Sequence, residues 1–476
     1  MSTWQHIEYL IRARLMTAGK RFSIGLIALI FSTGLHALDL KEALERAEQY
    51  DATLRNAMAE YMAAEELYPQ SRANLLPDVR AGAFYQREDT SRENSTGLIG
   101  DVDSNFTTKG YDITLNQVLF NKALWDGMEQ SEAQVAQAAA NYEVAKQDLI
   151  TRVARAYFNV LGAQDNLAFT RAEKEAIGRQ LEQSQERFNV GLIAITDVRE
   201  SQASYDNAVA NEIVAENTLR NNIEALRVLI GDPVENLAPL AEEFPLLYPD
   251  PNNINEWQGM ALANNLSLKA SRFALTAAKE AYESSQAGHY PTLNLSAGHS
   301  YNTADGSAFG GTFGGSDNTD NSIGVQLAVP IYEGGGTSSR ARAANAQVWA
   351  AQASVDQAIR TTIQQIRDAY LGVVAAVSSV EAFKQALISA KTSVEATEAG
   401  FEAGTRTSVD VLLVQGRQYE AERNYARSRY DYLINLLELQ RAAGSLTREY
   451  AWEINQWLAQ PAASPQQTTS SPAPSN

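Results

Sequence analysis

The chain has 476 residues and a net charge of −18, from 57 acidic and 39 basic side chains, which argues against nucleic acid as a partner because each phosphate contact would meet like charge. It contains no cysteine, so disulfides, thiolate metal sites, a cysteine nucleophile and a lipid-modified N-terminal cysteine are excluded. That composition fits an exported protein.

The first element, KRFSIGLIALIFSTGLHA at 20–37, sets Lys20 and Arg21 before an apolar run that closes at Ala37. Residues 1–37 therefore read as a secretory signal peptide, because the run of about 11 to 14 residues is short of the roughly 20 that span a bilayer. Met16 offers a second start that gives a signal of ordinary length. Removing 1–37 takes away four basic residues and one acidic residue and moves the net charge to −21. No later segment reads as apolar enough for a transmembrane helix.

The elements then follow in one order, twice. A helix is expected over about 39–72, strands over 78–86 and 110–119, and helices over 122–187 and 197–230. After a linker at 231–251, the second set comprises a helix over 254–287, strands over 292–301 and 322–331, and helices over 337–401 and 408–442. The segment GDPVENLAPLAEEFPLLYPDPNN holds five of the thirteen prolines, so it cannot continue a helix. The repeats, 38–230 and 252–443, also match residue by residue. FNVGLIAITDV at 188–198 answers FEAGTRTSVDV at 401–411, AYFNVL answers AYLGVV, Pro77 answers Pro291 and Gly231 answers Gly444. With LFNK at 119 answering IYEG at 331, offsets of 212 to 214 throughout indicate a duplication. Residues 444–458 are expected to form a short C-terminal equatorial segment, and 459–476 have the composition of a disordered tail.

Period separates the element types. Ile359, Ile363, Ile366, Tyr370, Val373, Val377 and Val380 alternate four- and three-residue spacing, with the phase resuming at Leu387 and Val394, and Ile150, Val153, Tyr157, Val160 and Leu167 repeat the heptad in the first half. Such seams predict coiled-coil packing. At 1.5 Å per residue the long helices reach roughly 95 to 100 Å and the short ones about 50 Å. Leu293, Leu295, Ala297 and Tyr301, and Ile323, Val325, Leu327 and Val329, alternate instead with small or polar residues. Strands of about ten residues suit a tilted membrane crossing, and the polar stretches joining them read as long surface loops. Four strands cannot close a barrel in lipid, where open edges are not tolerated and barrels begin at eight. The chain is therefore expected to oligomerise.

No chemistry emerges. His289 and His299 lack companion ligands, FGGTFGG lacks the Lys-[Ser/Thr] of a phosphate loop, and GxSxG is absent. Neither an enzyme, a cofactor nor a metal is expected.

AYFNVLGAQDNL, EKEAIGRQLEQSQERFNVGLIAITDV, PIYEGG and AGTRTSVDVL, in a match over 38 to about 455, resemble the TolC family of outer-membrane factors. The resemblance implies an α+β membrane protein of a Gram-negative bacterium. It would be a homotrimer with a twelve-stranded outer-membrane β-barrel continuing into a twelve-helix periplasmic α-barrel. The implied function is a passive exit duct of tripartite multidrug efflux and type I secretion. Its implied partners are outer-membrane lipid, a periplasmic adaptor (membrane fusion protein) and an inner-membrane transporter of the RND, ABC or MFS type. The resemblance further implies a periplasmic gate at Thr196, Asp197, Phe401 and Arg406, with Arg406 bonding Asp197 and Thr196. Asp410 would form a cation-selective entrance ring, and Gly191, Leu192, Gly404 and Thr405 would be adaptor-contact tips. Two departures stand out: the family has tyrosine at Phe401 and a second aspartate at Leu413. Read from the residues alone, Asp197 to Glu200 and Thr407 to Asp410 are also candidate helix caps, and the two glycines are candidate helix terminators. Rival readings are a dedicated type I protein-secretion duct and a periplasmic coiled-coil adaptor or scaffold, the latter expected to carry a lipoyl-like β-domain.

Overall fold

A computed structural model describes residues 37–92, 102–234, 236–308 and 311–459. Apart from Ala37 and Ala459, the expected signal peptide and tail lie outside the described residues, as does the centre of the first inter-strand segment. In chain order the elements are α1 (Leu40–Tyr50), α2 (Ala52–Glu65), α3 (Leu67–Ala73), β1 (Asp78–Arg92), β2 (Val102–Phe120), α4 (Lys122–Asn189) and α5 (Ile195–Ile230). The second set is α6 (Ile254–Asn264), α7 (Leu266–Gln286), a 3-10 turn at Ala287–His289, β3 (Thr292–Ala308), β4 (Gly311–Ala328), α8 (Gly336–Glu402), α9 (Ser408–Ala443) and α10 (Arg448–Asn455).

The strands form one antiparallel sheet in the order β1-β2-β3-β4. Its register separates two faces. Val79, Leu115, Ala297 and Ile323 share one row, Ala81, Ile113, His299 and Asn321 the next, and Ala83, Tyr111, Tyr301 and Thr319 the third. With Leu293, Leu295, Val325 and Leu327 this face is apolar, and much of it is bare: Ile323 is 81% exposed and Val325 63%. It ends in tyrosines, with the Tyr111 and Tyr301 rings 5.8 Å apart, and beyond them come Lys109, Thr303 and Asp317. The opposite face carries Arg80, Thr114, Asp112, Ser300, Asp320, Asn116 and Ser296. An apolar face closed by aromatics, backed by a polar face, is the pattern of a membrane barrel wall. β1 and β4 are its two edges and do not pair with each other.

The strands are 15 to 19 residues long, which corrects the ten-residue expectation and the long surface loops. Pairing runs on to Arg92↔Val102 and to Ala308↔Gly311. Hydrophobic alternation marks only the part of a strand with an apolar face, whereas backbone pairing continues through Thr, Ser, Asn and Asp because it is independent of side-chain polarity.

α4 and α8, of 68 and 67 residues, extend about 100 Å each at 1.5 Å per residue. α4 packs against α2 and α3 towards the sheet, against α5 along its far half, and against α7 and α9 alongside, so two short helices end to end match one long one. The seam residues Ile150, Val153, Tyr157, Val160 and Leu167 are buried, as are Ile366, Tyr370, Val373, Val377, Val380 and Val394. Ile359, Ile363 and Leu387 stay half-exposed in one chain. Alanine and valine also make one stretch of α8 apolar enough, by length and composition, to cross a membrane. This corrects the expectation that no later segment is, although α8 packs along α9 and α7.

Equivalent tyrosines pin the linker at mid-height. The buried Tyr157 hydroxyl bonds the carbonyls of Leu38 (3.0 Å) and Ala238 (2.9 Å), and the Tyr370 hydroxyl donates to Asn252 Oδ1 at 2.6 Å. Tyr432 on α9 brackets the backbone of Leu247, accepting from its N–H at 2.7 Å and facing its carbonyl at 3.1 Å. Short bridges Leu38↔Leu237 and Leu240↔Leu458 complete this belt.

The single helices expected at 39–72 and 254–287 are both broken, and at matching places. Asp51 leaves helical geometry and caps α2 by accepting from Leu54 N at 2.7 Å, and Asn265 caps α7 by accepting from Leu268 N at 3.0 Å. Short polar side chains compete with the helix for its own amides, which is why they start helices better than they continue them. Asp51 is buried and also takes a fork from Arg152, at 3.0 and 3.2 Å. Burial alone would raise its carboxyl; the Arg152 bonds and the Leu54 amide outweigh this and hold it below the ordinary value.

Asp51→Ala is expected to cost about 2–3 kcal/mol, from the lost cap and the lost charged hydrogen bonds to Arg152, which keeps only Asp148, at 2.7 Å, read from the denaturant midpoint in detergent. Because the folded carboxyl is lowered, its contribution is complete above the unfolded value of about 3.9 and disappears as pH falls through the folded one. The difference between wild type and variant should therefore be flat near neutrality and shrink in acid.

Candidate functional site: two helical hairpin tips

The repeated stretches form the turns at the ends of α4 and α8 farthest from the sheet. In the first, Gly191 (φ 76°) follows α4, Gly191 N donates to Phe188 O and Leu192 N donates to Arg187 O. In the second, Gly404 (φ 73°) follows α8, Gly404 N donates to Phe401 O and Thr405 N donates to Gly400 O. Each is a left-handed glycine closing a helix with a six-to-one bond, a conformation that a Cβ would strain. The terminator role read from sequence is therefore present in both. Gly191, Leu192, Gly404 and Thr405 are all exposed, Leu192 by 71%.

The returning helices differ. α9 starts with a complete capping box: Thr407 Oγ1 accepts from Asp410 N at 3.2 Å, and Asp410 Oδ2 accepts from Thr407 N and Oγ1, both at 2.9 Å. The Thr407 backbone and side-chain bonds, with the Arg406 charge nearby, hold the Asp410 carboxyl below its ordinary value. α5 has no such box. It starts at Ile195, two residues before the expected start, with Ala194 as a cap that offers no side-chain acceptor. Asp197 therefore sits inside the first turn, where its charge favours the helix N-terminus, and the expected Asp197–Glu200 capping box does not form. Among the described residues, its carboxylate makes no hydrogen bond or ion pair within the chain.

Arg406 is exposed and, among the described residues, likewise makes no ion pair, so the described residues of a single chain do not join Arg406 to Asp197 or Thr196. What links the two hairpins here is a contact that sequence reasoning missed. The Arg187 guanidinium lies over the Phe401 ring, 4.5 Å from its centroid, an attraction that needs no hydroxyl on the ring. Farther from the tips the hairpins are joined by Arg423 to Glu173 at 2.8 Å, Tyr419 to Ala172 O at 3.2 Å and Tyr430 to Asp165 at 2.7 Å. None of these pairs shares a local motif, so no spacing in the sequence points to them.

Among the described residues the β-structure is the four-stranded sheet and two isolated bridges, with no small β-domain between helices of the kind an adaptor would carry. The model of the family described as outer membrane efflux protein matches twice, over residues 43–232 and 257–445, one match in each repeat. The outer membrane protein TolC of Vibrio cholerae is 37% identical over 429 residues, covering 90% of this chain and 95% of the relative. The alkaline protease secretion protein AprF of Pseudomonas aeruginosa is 29% identical over 443 residues, covering 91% of this chain and 89% of the relative. The crystal structure of the Campylobacter jejuni CmeC outer membrane channel shares the fold, with a TM-score of 0.72 at 17% identity over 93% of this chain and 97% of that one. The sheet with its two chemically distinct faces, the long helices and these relatives agree: the chain belongs to the outer membrane efflux protein family, whose members are outer-membrane channels.

Proposed function

We propose that three copies of the chain close their sheets into one twelve-stranded barrel in the outer membrane. Their helices continue as a twelve-helix tunnel through the periplasm, and the trimer is a passive exit duct for efflux and type I secretion. The observation that carries this reading is the sheet with one apolar face and, among the described residues, no strand paired outside β1 or β4. Two copies would reach eight strands, whose interior side chains fill, whereas three leave a lumen. A periplasmic adaptor docking on the exposed tips at Gly191, Leu192, Gly404 and Thr405 would join the duct to an inner-membrane transporter of the RND, ABC or MFS type.

The tips form the gate. Arg406 and Asp197 are complementary charges that form no ion pair among the described residues, as suits partners that meet between neighbouring protomers beside Thr196. Phe401 contributes through its ring, on Arg187. Asp410, lowered by its capping bonds, stays ionised at periplasmic pH and forms one carboxylate ring. Acidic rings favour cations, and Leu413, 54% exposed, supplies no second ring to strengthen block by multivalent cations.

Single-channel recording in a planar bilayer tests this directly. Wild type should conduct, Arg406→Ser should increase conductance, and Asp410→Ala should lower cation preference; a folded protein that forms no pore overturns the reading. Ala194→Thr should complete a capping box with Asp197. It is expected to stabilise the start of α5 by about 1 kcal/mol, slowing its amide exchange about fivefold, and to raise conductance by diverting Asp197 from Arg406. Exchange unchanged from wild type would contradict the free-carboxylate account.

A further inference from the structure

Asp126 lies in the second turn of α4 and is 2% exposed. Its Oδ1 takes the Lys122 ammonium one turn earlier, but its Oδ2 is buried without a hydrogen-bond partner. A buried carboxylate oxygen loses its hydration and is normally satisfied by a donor or a cation. Glu129, one turn on, shares its helix face, and Glu280 reaches it from α7. Oxygens of the three carboxylates lie within 4.8 Å of one another. Among the described residues, Glu283 and Lys122 also act electrostatically on this cluster, and these five groups together are net negative. The backbone around it is held: Ser284 Oγ donates to Ala123 O at 3.0 Å, tying α7 to α4.

We propose that Asp126, Glu129 and Glu280 bind a hard divalent cation, calcium foremost, that fastens α4 to α7 where the sheet gives way to the helices. All donors are carboxylate oxygens, with neither imidazole nor thiolate, which suits calcium or magnesium rather than zinc or copper. Calcium also tolerates the irregular geometry that two separate helices supply. The position gives the ion a task. α4 begins just after β2 and α7 ends just before β3, and β2 and β3 are neighbours in the sheet. A cation here would lock the two helices that flank one adjacent strand pair.

The test is equilibrium dialysis of calcium against the full chain, purified in detergent and stripped with a chelator, followed by melting with and without calcium. One ion per chain is expected, with a calcium-dependent rise in melting temperature. Glu129→Gln, at an exposed position that the fold tolerates, and Glu280→Gln should each weaken binding at least about tenfold, since affinity follows the number of charged ligands. Asp126→Asn should abolish it. Asp410→Ala should leave this stoichiometry unchanged, which separates the junction site from any ion held at the entrance ring. Binding that survives Glu129→Gln and Glu280→Gln at wild-type strength, or no saturable binding up to millimolar calcium, would overturn the proposal.

Discussion

The backbone groups along the outer sides of β1 and β4 set the terms for the rest of the molecule. In water such edges are an aggregation hazard; in lipid they are unacceptable, because no solvent replaces the missing hydrogen bonds. Yet the sheet that they bound carries an apolar face, from Leu293 and Leu327 up to Tyr111 and Tyr301. A chain with an apolar sheet face and two open edge strands suits the proposed reading, in which further copies complete the wall. The seam positions Ile359, Ile363 and Leu387 stay half-exposed in one chain, which suits packing against a neighbouring copy.

Duplication explains how one chain supplies two matching sets of strands and long helices. Equivalent positions perform equivalent physical tasks: Tyr157 and Tyr370 anchor the belt, Asp51 and Asn265 break and restart a helix, and Gly191 and Gly404 turn the chain at the tips. The copies have diverged where a difference is useful. Thr407 ties Asp410 into its own helix, whereas Ala194, its counterpart, leaves Asp197 without a cap partner. One atom group, the threonine hydroxyl, separates a carboxylate committed locally from one available to a neighbour.

The sequence reveals the long helices within about two residues because their apolar seams are long and strictly periodic. It also reveals the repeat, since glycine, proline and tyrosine at fixed offsets each answer a backbone or hydrogen-bonding need. It hides what depends on groups far apart in the chain. The helix breaks at Asp51 and Asn265 rest on single caps inside otherwise helical patterns, and Asp51 is held by Arg152, a hundred residues away. The polar halves of the strands carry no hydrophobic signal, so they read as loops. The Arg187–Phe401 contact and the Asp126, Glu129 and Glu280 cluster join distant segments, and only the fold brings them together.

The central claim is that the four-stranded sheet is completed by other copies of the same chain. Native mass spectrometry of the purified protein, released from detergent micelles, tests it most directly. The account predicts an assembly of three chains that persists at dilution; a stable folded monomer, or an assembly of two, would contradict it.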